Sequence, residues 1–341
     1  GIMLTGHGGP EKLEYRHDIK VPHLSPSDVL VRVEAAGVNN TDINTREGWY
    51  AKDHESESDA SWSGEALTFP RIQGADICGS IVEAGTGVDR IRLGERVLVE
   101  PVLREVNGTT LDSPWYLGSE CDGGFAEYAV VASRHAHKIE SQLSSVELAS
   151  FPCSYSTAEN MLTRADVCSK DRVLITGASG GVGSAAVQLA KARGARVIAV
   201  TSESKATRIR ELGADETAER DEDLIARLGP DSIDVVVDLV GGKSWPGLLE
   251  LLRPGGRYAV SGAIAGPMVE LDLRTLYLKD LSFFGCTILE PEIFGNLVRL
   301  IEQDRIVPLV ADTYPLSRIS DAQLAFQTKN FVGKIVLEVA D

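Results

Sequence analysis

"RVLITGASGGVGSAAVQLAKARGARVIAV", residues 172–200, joins an apolar run to a glycine-rich turn, a helix-like stretch of small residues and a second apolar run. Glycines between a strand and a helix let the backbone approach a pyrophosphate, which the N-terminal N–H groups of the helix then bind. The spacing is A-x-G-x-x-G, with Ala178 replacing the first glycine of the usual fingerprint. In its strand–turn–helix–strand context the segment predicts a dinucleotide-binding unit. The alternative is a glycine-rich turn that binds nothing.

The end of the second apolar run bears on which dinucleotide is bound. A carboxylate there would bond the ribose 2′-OH of NAD. Here the run is followed by Thr201 and Ser202, with Glu203 two residues beyond Thr201 and Lys205 soon after. A hydroxyl and a nearby cation suit a 2′-phosphate, so we predict NADP(H). Alternatively, Lys205 is a solvated residue at a helix start.

The pattern of elements divides the chain in two. Residues 1–140 contain short β-type runs bounded by Gly, Pro and Asp, whereas apolar strands alternate with helical patterns from about residue 145. Such alternation predicts a parallel sheet with helices on both faces. The last 50 residues end in the strand "GKIVLEV" and are expected to pack on the first half. We therefore predict one domain of residues 1–148 and 290–341, and a cofactor domain of residues 149–289.

Two polar stretches, residues 51–70 and 101–119, are interpreted as surface loops. The first is long and acidic, and as a hypothesis it folds over the substrate as a lid. The histidines show no metal-binding spacing except His135-x-His137, which we interpret as surface structure.

Composition excludes several classes of protein. A hydrophobic content of 43% supports sizeable cores, and the net charge of −16 disfavours nucleic-acid backbones and anionic membranes. No apolar run reaches the roughly 18 residues of a membrane span. The N-terminus lacks the pattern of a signal peptide, and the five cysteines include no C-x-x-C. We therefore expect a cytoplasmic protein without disulfides.

Several ordered motifs extend over nearly the whole chain: "AAGVNNTDI", "GADICGSIVEAG", "GERV", "GGFAEY", "FPCSYSTAENML", "GASGGVG", "LRPGGRY" and "GKIVL". With them the chain resembles the medium-chain dehydrogenase/reductase superfamily. The resemblance implies a GroES-like catalytic domain, a Rossmann cofactor domain, and hydride transfer between a nicotinamide and a carbonyl, alcohol or activated alkene.

The superfamily has zinc-dependent and zinc-independent branches. The resemblance implies three catalytic zinc-ligand positions, which here hold Asn39 for a cysteine, Ala75 for a histidine, and Cys153. Alanine cannot ligate zinc and asparagine is a poor ligand, so we expect no catalytic zinc. The loop near residues 101–119, which would hold a structural zinc, contains no cysteine, so we expect that metal to be absent too. The pattern resembles the quinone oxidoreductases and enoyl reductases.

Without a metal, hydrogen-bond donors must stabilise the oxyanion formed by hydride transfer. Asn39 offers an amide near the expected nicotinamide, or it is a turn residue that bonds local backbone. Thr41 stands at a proton-relay position, or it caps the following helix-like turn. Tyr50 donates a proton or a hydrogen bond, or it forms an aromatic wall of the pocket. In these reductases water often completes the protonation.

The resemblance assigns further residues to the cofactor. They include a contact to the nicotinamide face, the glycine turn, the end of the second strand and positions after later strands: Thr157, Ser179, Gly180, Gly181, Val182, Gly183, Ser202, Lys205, Val240, Gly262, Ala263, Cys286 and Lys334. Family members usually dimerise through the edge of the Rossmann sheet, for which "LSFFGCTI", residues 281–288, is the candidate edge strand.

These observations predict a zinc-independent, NADPH-dependent reductase of a quinone or an α,β-unsaturated carbonyl, active as a homodimer. One alternative is an alcohol dehydrogenase with zinc held by His54 or Asp76 beside Cys153. The other is an NADPH-binding protein without catalytic activity, because a cofactor cradle alone does not prove turnover.

Overall fold

The computed structural model describes residues 1–51, 61–64 and 66–339. The chain forms two compact units. The first unit comprises Gly1–Cys153, Pro308–Asn330 and Lys334–Asp341, and the second comprises Ser154–Val307 and Phe331–Gly333. The sequence placed the boundaries at residues 148/149 and 289/290, whereas the units divide at 153/154 and 307/308. Half of the proposed lid of residues 51–70, namely residues 52–60 and 65, lies outside the described residues.

The elements follow in chain order. The N-terminal part contains β1 (Ile2–Leu4), β2 (Leu13–Tyr15), β3 (Asp28–Gly37), α1 (Asn40–Glu47), β4 (Asp76–Ala84), β5 (Arg96–Val99), β6 (Val102–Val106), β7 (Thr109–Tyr116), β8 (Tyr128–Ala132), β9 (Ala136–Lys138) and α2 (Ser145–Leu148). The middle part contains α3 (Pro152–Arg164), β10 (Arg172–Ile175), α4 (Gly181–Ala192), β11 (Arg196–Val200), α5 (Glu203–Glu211), β12 (Glu216–Ala218), α6 (Leu224–Leu228), β13 (Ile233–Asp238), α7 (Trp245–Leu251), β14 (Leu252–Val260), α8 (Leu273–Leu278), β15 (Ser282–Gly285) and α9 (Ile293–Glu302). The C-terminal part contains β16 (Val310–Pro315), α10 (Ile319–Thr328) and β17 (Lys334–Glu338).

The first unit is built on a mostly antiparallel sheet with the strand order β16-β17-β3-β4-β5-β9, and β8 also pairs with β3. The apolar residues of β3 and β4 are almost all buried, and both strands lie inside the sheet with a paired strand on each side. Gly37, the last residue of β3, is paired with Asp76 of β4 and with Val336 of β17. The C-terminal strand thus completes the sheet of the N-terminal half, as the sequence predicted.

Residues 101–119 are not the loop that the sequence predicted. They contain the antiparallel hairpin of β6 and β7, which pairs Val102 with Tyr116. The interpretation of His135 as a surface residue was also wrong, because the backbone N–H of Arg104 in β6 donates to its Nε2 at 3.0 Å. His135 is buried, and its Nδ1 lies 3.0 Å from the Glu100 carboxylate.

The second unit contains a parallel sheet with the order β12-β11-β10-β13-β14-β15. Numbered from β10, this is the 3-2-1-4-5-6 order of the doubly wound dinucleotide-binding fold. The prediction of a GroES-like β-rich domain followed by a Rossmann domain is confirmed. The motif "LRPGGRY" lies within β14, which begins at Leu252.

The central strands of the second unit are apolar because helices cover both faces of the sheet. Trp245 of α7 packs edge-on against Tyr258 of β14 and donates an indole hydrogen bond to its hydroxyl at 2.8 Å. Within the described part of the chain, no helix has the length and apolar character needed to cross a membrane.

Candidate active site

The first unit brings together residues from three strand ends. Asn39 follows β3, Asp76 begins β4 and Lys334 begins β17, and these strands are neighbours in one sheet. All three side chains are buried, with exposures of 5%, 0% and 1%. Polar groups this deep require partners, because an unpaired buried charge is costly. They find these partners in one another.

The Lys334 ammonium lies at the centre of this cluster. It donates to the Asn39 side-chain oxygen and, over 2.8 Å, to Oδ2 of Asp76. The Asn39 amide nitrogen in turn donates to the same Asp76 oxygen at 2.8 Å, and its remaining contact is the Gly37 carbonyl at 3.4 Å. The amide donors of Asn39 are therefore directed into the cluster.

The three positions that the sequence analysis matched to the zinc ligands of other family members, Asn39, Ala75 and Cys153, lie next to this ion pair. Cys153 donates its backbone N–H to Oδ1 of Asp76 at 2.5 Å, and Ala75 immediately precedes Asp76 in the chain. Burial, together with the Asp76 carboxylate, raises the pKa of the Cys153 thiol to about 12. The thiol therefore stays protonated at neutral pH, and its sulfur lies 2.9 Å from the hydroxyl of Tyr116.

These residues do not fit a zinc ion. Zinc in proteins is bound by thiolates, neutral imidazoles and carboxylates, whereas this position holds an ammonium, an amide and a single cysteine. Among the described residues, no three His, Cys, Asp or Glu side chains are grouped in a way that would hold a metal ion.

Asp42, in the first turn of α1, is a second buried carboxyl group beside the cluster. Its Oδ2 accepts the backbone N–H of Asn39 at 2.7 Å, which fixes the start of the helix. Burial raises the pKa of Asp42 from 3.8 to about 7, although the hydrogen bond from Asn39 and the charge of Lys334 oppose the rise. This carboxyl group therefore titrates near neutral pH.

The structure also pairs two of the predicted catalytic hydroxyls. Tyr50 donates to the Thr41 side-chain oxygen over 3.2 Å. Burial raises the pKa of Tyr50, so the phenol stays protonated and able to donate. A threonine hydroxyl that accepts one hydrogen bond still has its own hydrogen to donate. Thr41 and Tyr50 thus form a short chain of hydroxyls in the first unit.

Asn40 has a different environment from its neighbour Asn39. It is exposed, and its side-chain oxygen accepts from the Lys329 ammonium at 2.9 Å, just after α10. This contact ties α1 to α10 at the surface and carries no reactive group.

In the second unit, the glycine-rich turn lies between β10 and α4. Gly177 has a positive φ of 58°, which favours glycine. A Cβ on Gly183 would lie 2.2 Å from the Gly177 carbonyl oxygen, so only glycine lets α4 begin this close to the strand. A Cβ on Gly180 would meet nothing nearer than 3.6 Å. The protein itself leaves the space at Gly180 open, which fits a pyrophosphate approaching the first-turn amides of α4.

Other predicted cofactor residues follow the carboxyl ends of neighbouring parallel strands. Val240 comes after β13, Gly262 and Ala263 after β14, and Cys286 after β15. In a sheet of parallel strands these ends share one edge, the same edge that carries the glycine-rich turn after β10. The structure therefore brings these positions to one edge of the sheet. Thr157 lies in α3.

Asp238, at the end of β13, is a buried residue that the sequence reasoning missed. Its carboxylate accepts the hydroxyls of Thr176 and Tyr258, each at 2.6 Å, and the backbone N–H of Val240 at 2.9 Å. It thereby holds the turn that carries Val240. An acidic residue closing the apolar run "IDVVVD" was the available signal.

Two basic residues lie close together near the end of β11, and the sequence analysis named only one of them, Lys205. Ser202 precedes α5, and Lys205 lies in its first turn. Partial burial lowers the pKa of Lys205, and the nearby charge of Arg220 lowers it further. Two cations close enough to repel each other would be stabilised by an anion between them. Arg220 follows β12 and was not identified from the sequence.

Comparison with known proteins agrees with this architecture. Residues 25–141 match the family "Alcohol dehydrogenase GroES-like domain", and residues 181–303 match the family "Zinc-binding dehydrogenase". The crystal structure of a candidate alcohol dehydrogenase from Sinorhizobium meliloti is 47% identical, with a TM-score of 0.92 over 99% of this chain and 95% of that one.

The chain belongs to the medium-chain dehydrogenase/reductase superfamily. It is similar to an NAD-dependent alcohol dehydrogenase of Sulfolobus acidocaldarius, 29% identical over 99% of both chains. It is also similar to human quinone oxidoreductase, 28% identical over 98% of this chain and 96% of that one. As a member of this superfamily it is an oxidoreductase that uses a nicotinamide cofactor and a small-molecule substrate.

The match to the family "Zinc-binding dehydrogenase" covers a part of the chain that does not include the three expected zinc-ligand positions. The matching segment, residues 181–303, lies within the second unit, whereas Asn39, Ala75 and Cys153 all belong to the first unit.

Proposed function

We propose that this protein is a zinc-independent reductase that transfers hydride from NADPH to a quinone or an α,β-unsaturated carbonyl. The observation that supports this most directly is the Lys334–Asp76 ion pair at the position where zinc-dependent relatives would bind their metal. An alcohol dehydrogenase of this type needs a Lewis acid to lower the pKa of its alcohol. Reduction of a conjugated acceptor needs only hydrogen-bond donors for the oxyanion that develops.

Thr41 and Tyr50 would supply those donors. When bound, NADPH supplies the hydride, and the acceptor oxygen becomes negative as the hydride arrives. In this proposal the Thr41 hydroxyl donates to that oxygen, and Tyr50 supports Thr41 through its 3.2 Å hydrogen bond. Asn39 then serves to hold the start of α1, because its amide is engaged by Lys334 and Asp76.

This catalytic assignment is tested with three variants. Thr41→Ala should lower kcat about 100-fold, within the range for the loss of one oxyanion donor, whereas Thr41→Ser should keep most of the activity. Tyr50→Phe should have a smaller effect because it removes only the support. If Thr41→Ala retained kcat within about threefold of the unmodified enzyme, Thr41 would not be the donor.

NADPH is proposed over NADH because Ser202, Lys205 and Arg220 lie at the end of β11 and β12, where no carboxylate closes the second strand. Charge-assisted hydrogen bonds contribute about 1.5–3 kcal/mol, so Lys205→Ala or Arg220→Ala should raise KM for NADPH roughly 10- to 100-fold. KM for NADH should stay unchanged. Arg208→Ala is the matched control, because Arg208 is exposed and pairs with Glu211.

The substrate class is tested by following NADPH oxidation with quinones, enones, enals and unsaturated acyl thioesters, with NADH in parallel. Alcohol oxidation with NAD⁺ and NADP⁺ is the comparison. Turnover of alcohols alone, with about one zinc per chain and inhibition by a chelator, would establish the alcohol dehydrogenase alternative. Cofactor binding without turnover of any acceptor would indicate a non-catalytic protein. A preference for NADH would refute the cofactor assignment.

A further inference from the structure

Lys334 places a fixed positive charge inside the first unit, at 1% exposure. We propose that its ammonium substitutes for a metal ion. It excludes a divalent cation from the site and orients the side chains that a metal would otherwise hold. This goes beyond the proposed reaction, because it concerns what occupies the site whichever acceptor is reduced.

The position of the ammonium supports this role. Asn39, at one ligand position, is bonded directly to the Lys334 nitrogen. Cys153, at another, is bonded through its backbone N–H to Asp76, the partner of Lys334. The third position, Ala75, is adjacent to Asp76 in β4. All three ligand positions are thus within one residue or one hydrogen bond of the ion pair.

The charges also favour an ammonium over a metal. Oδ2 of Asp76 accepts hydrogen bonds from both Lys334 and Asn39. This carboxylate is therefore already paired with a positive charge and is not free to bind a metal ion. A divalent cation entering this site would meet a like charge and would have to displace both hydrogen bonds.

The backbone is shaped for the ion pair. A Cβ on Gly37 would lie 2.5 Å from Oδ2 of Asp76 and 2.7 Å from the Ala149 carbonyl oxygen. Glycine at this position therefore makes room for the carboxylate beside Lys334. The ion pair lies where the ends of β3, β4 and β17 meet. Asn39, which is hydrogen-bonded to both members of the pair, is also the N-cap of α1, and Thr41 lies in the first turn of that helix.

The proposal is tested by rebuilding a metal site with and without the lysine. One variant combines Asn39→Cys and Ala75→His and keeps Lys334, and a second variant adds Lys334→Met. Each is titrated with Co²⁺, whose thiolate complexes have an intense absorption band, and with Zn²⁺. We expect the variant with Lys334→Met to bind about one metal per chain, about 100-fold more tightly than the variant that keeps the lysine. Adding Cys153→Ser should abolish the thiolate band.

Equal metal affinity with and without Lys334, whether both tight or both weak, would overturn the proposal.

A second measurement uses the unmodified chain, so that it does not depend on the folding of a triple variant. In ¹⁵N-lysine-labelled protein, the Lys334 ammonium should give a signal that exchanges slowly with water and is missing from Lys334→Met. If its proton exchange were as fast as that of the exposed Lys138, the ammonium would not be held at the metal position. Neither measurement requires turnover. A negative result would therefore refute the role proposed for Lys334 without refuting the reductase assignment.

Discussion

Replacing Lys334 by methionine keeps a side chain of similar length but leaves the Asp76 carboxylate buried without its cation. The two groups are 2.8 Å apart, and their side chains are 2% and 0% exposed. Removing one partner of a buried ion pair costs about 3–5 kcal/mol, because the remaining charge is uncompensated. We expect Lys334→Met to lower the free energy of unfolding of the first unit by this amount.

A double-mutant cycle separates the ion pair from the loss of packing. Asp76→Asn alone should also destabilise the unit by several kcal/mol, because Asp76 accepts from Lys334, Asn39 and the Cys153 backbone. The double variant has no unpaired charge. Its loss should therefore be smaller than the sum of the two single losses by about 1–3 kcal/mol.

The assay is urea unfolding followed by tryptophan fluorescence. Trp245 is the tryptophan of the second unit, so a Trp245→Phe background restricts the signal to Trp49, Trp62 and Trp115 of the first. This matters because a chain of two units need not unfold in one step.

The matched control is Lys138→Met. Lys138 also pairs with a carboxylate, that of Glu140 at 2.5 Å, but the two side chains are 52% and 72% exposed. Exposed ion pairs contribute about 0–1 kcal/mol. If Lys334→Met cost no more than Lys138→Met, or if the cycle were additive, the buried ion pair would not stabilise the site and the reasoning would be refuted.

Three further predictions concern other parts of the molecule. The pKa of Asp42 is about 7 in the folded state and 3.8 in the unfolded chain. Between these pH values the folded state holds a proton that the unfolded chain has lost. The Asp42 carboxyl group therefore makes the free energy of unfolding fall as the pH rises through this range. Asp42→Asn should remove that fall, roughly 4 kcal/mol in full, and urea unfolding at pH 5 and pH 7.5 should show the unmodified protein losing stability relative to the variant. Gly183→Ala should destabilise the cofactor-free protein by about 1–3 kcal/mol, because its Cβ would lie 2.2 Å from a backbone oxygen. In Gly180→Ala the added Cβ would lie 3.6 Å from the nearest atom, so thermal unfolding should show unchanged stability of the cofactor-free protein. Calorimetry should show NADPH binding weakened about 10-fold. If Gly180→Ala were instead the more destabilised variant and Gly183→Ala the weaker NADPH binder, the proposed pyrophosphate site would be contradicted. Finally, the expected homodimer should dissociate towards monomer in Phe283→Glu, as measured by light scattering. The reason is that β15 is an edge strand of the parallel sheet and Phe283 is partly exposed there. An unchanged molecular mass would place the dimer interface elsewhere.

The sequence predicted most of the fold because its signals are local. The glycine-rich turn, the alternation of apolar strands with helices, and the final strand "GKIVLEV" each follow from a few consecutive residues. The hairpin of β6 and β7 was missed because polar and charged residues interrupt the apolar pattern of both strands, and that polar character had suggested a loop. The burial of His135 was missed for the same reason, since that hairpin contacts it.

The candidate site was predicted in its parts. The sequence analysis predicted that Asn39 and Ala75 stand where a zinc enzyme needs ligands, and it selected Thr41 and Tyr50 as candidate catalytic hydroxyls. It assigned Lys334 to the cofactor, whereas the structure places the lysine ammonium against Asn39 and Asp76. A charged residue beginning an apolar strand was a signal of a buried partner, but the partner could not be named from the pattern.

What the sequence by itself determined is therefore most of the backbone fold and the residue types that stand in the candidate site, because both depend on residue type and short-range spacing. What only the tertiary structure decided is the partner of each buried polar group, above all the pairing of Lys334 with Asp76. Lys334 and Asp76 are 258 positions apart in the chain, and they meet because β17 pairs with β3 beside β4. Electrostatic pairing depends on distance in space and on burial, and the folded sheet sets both.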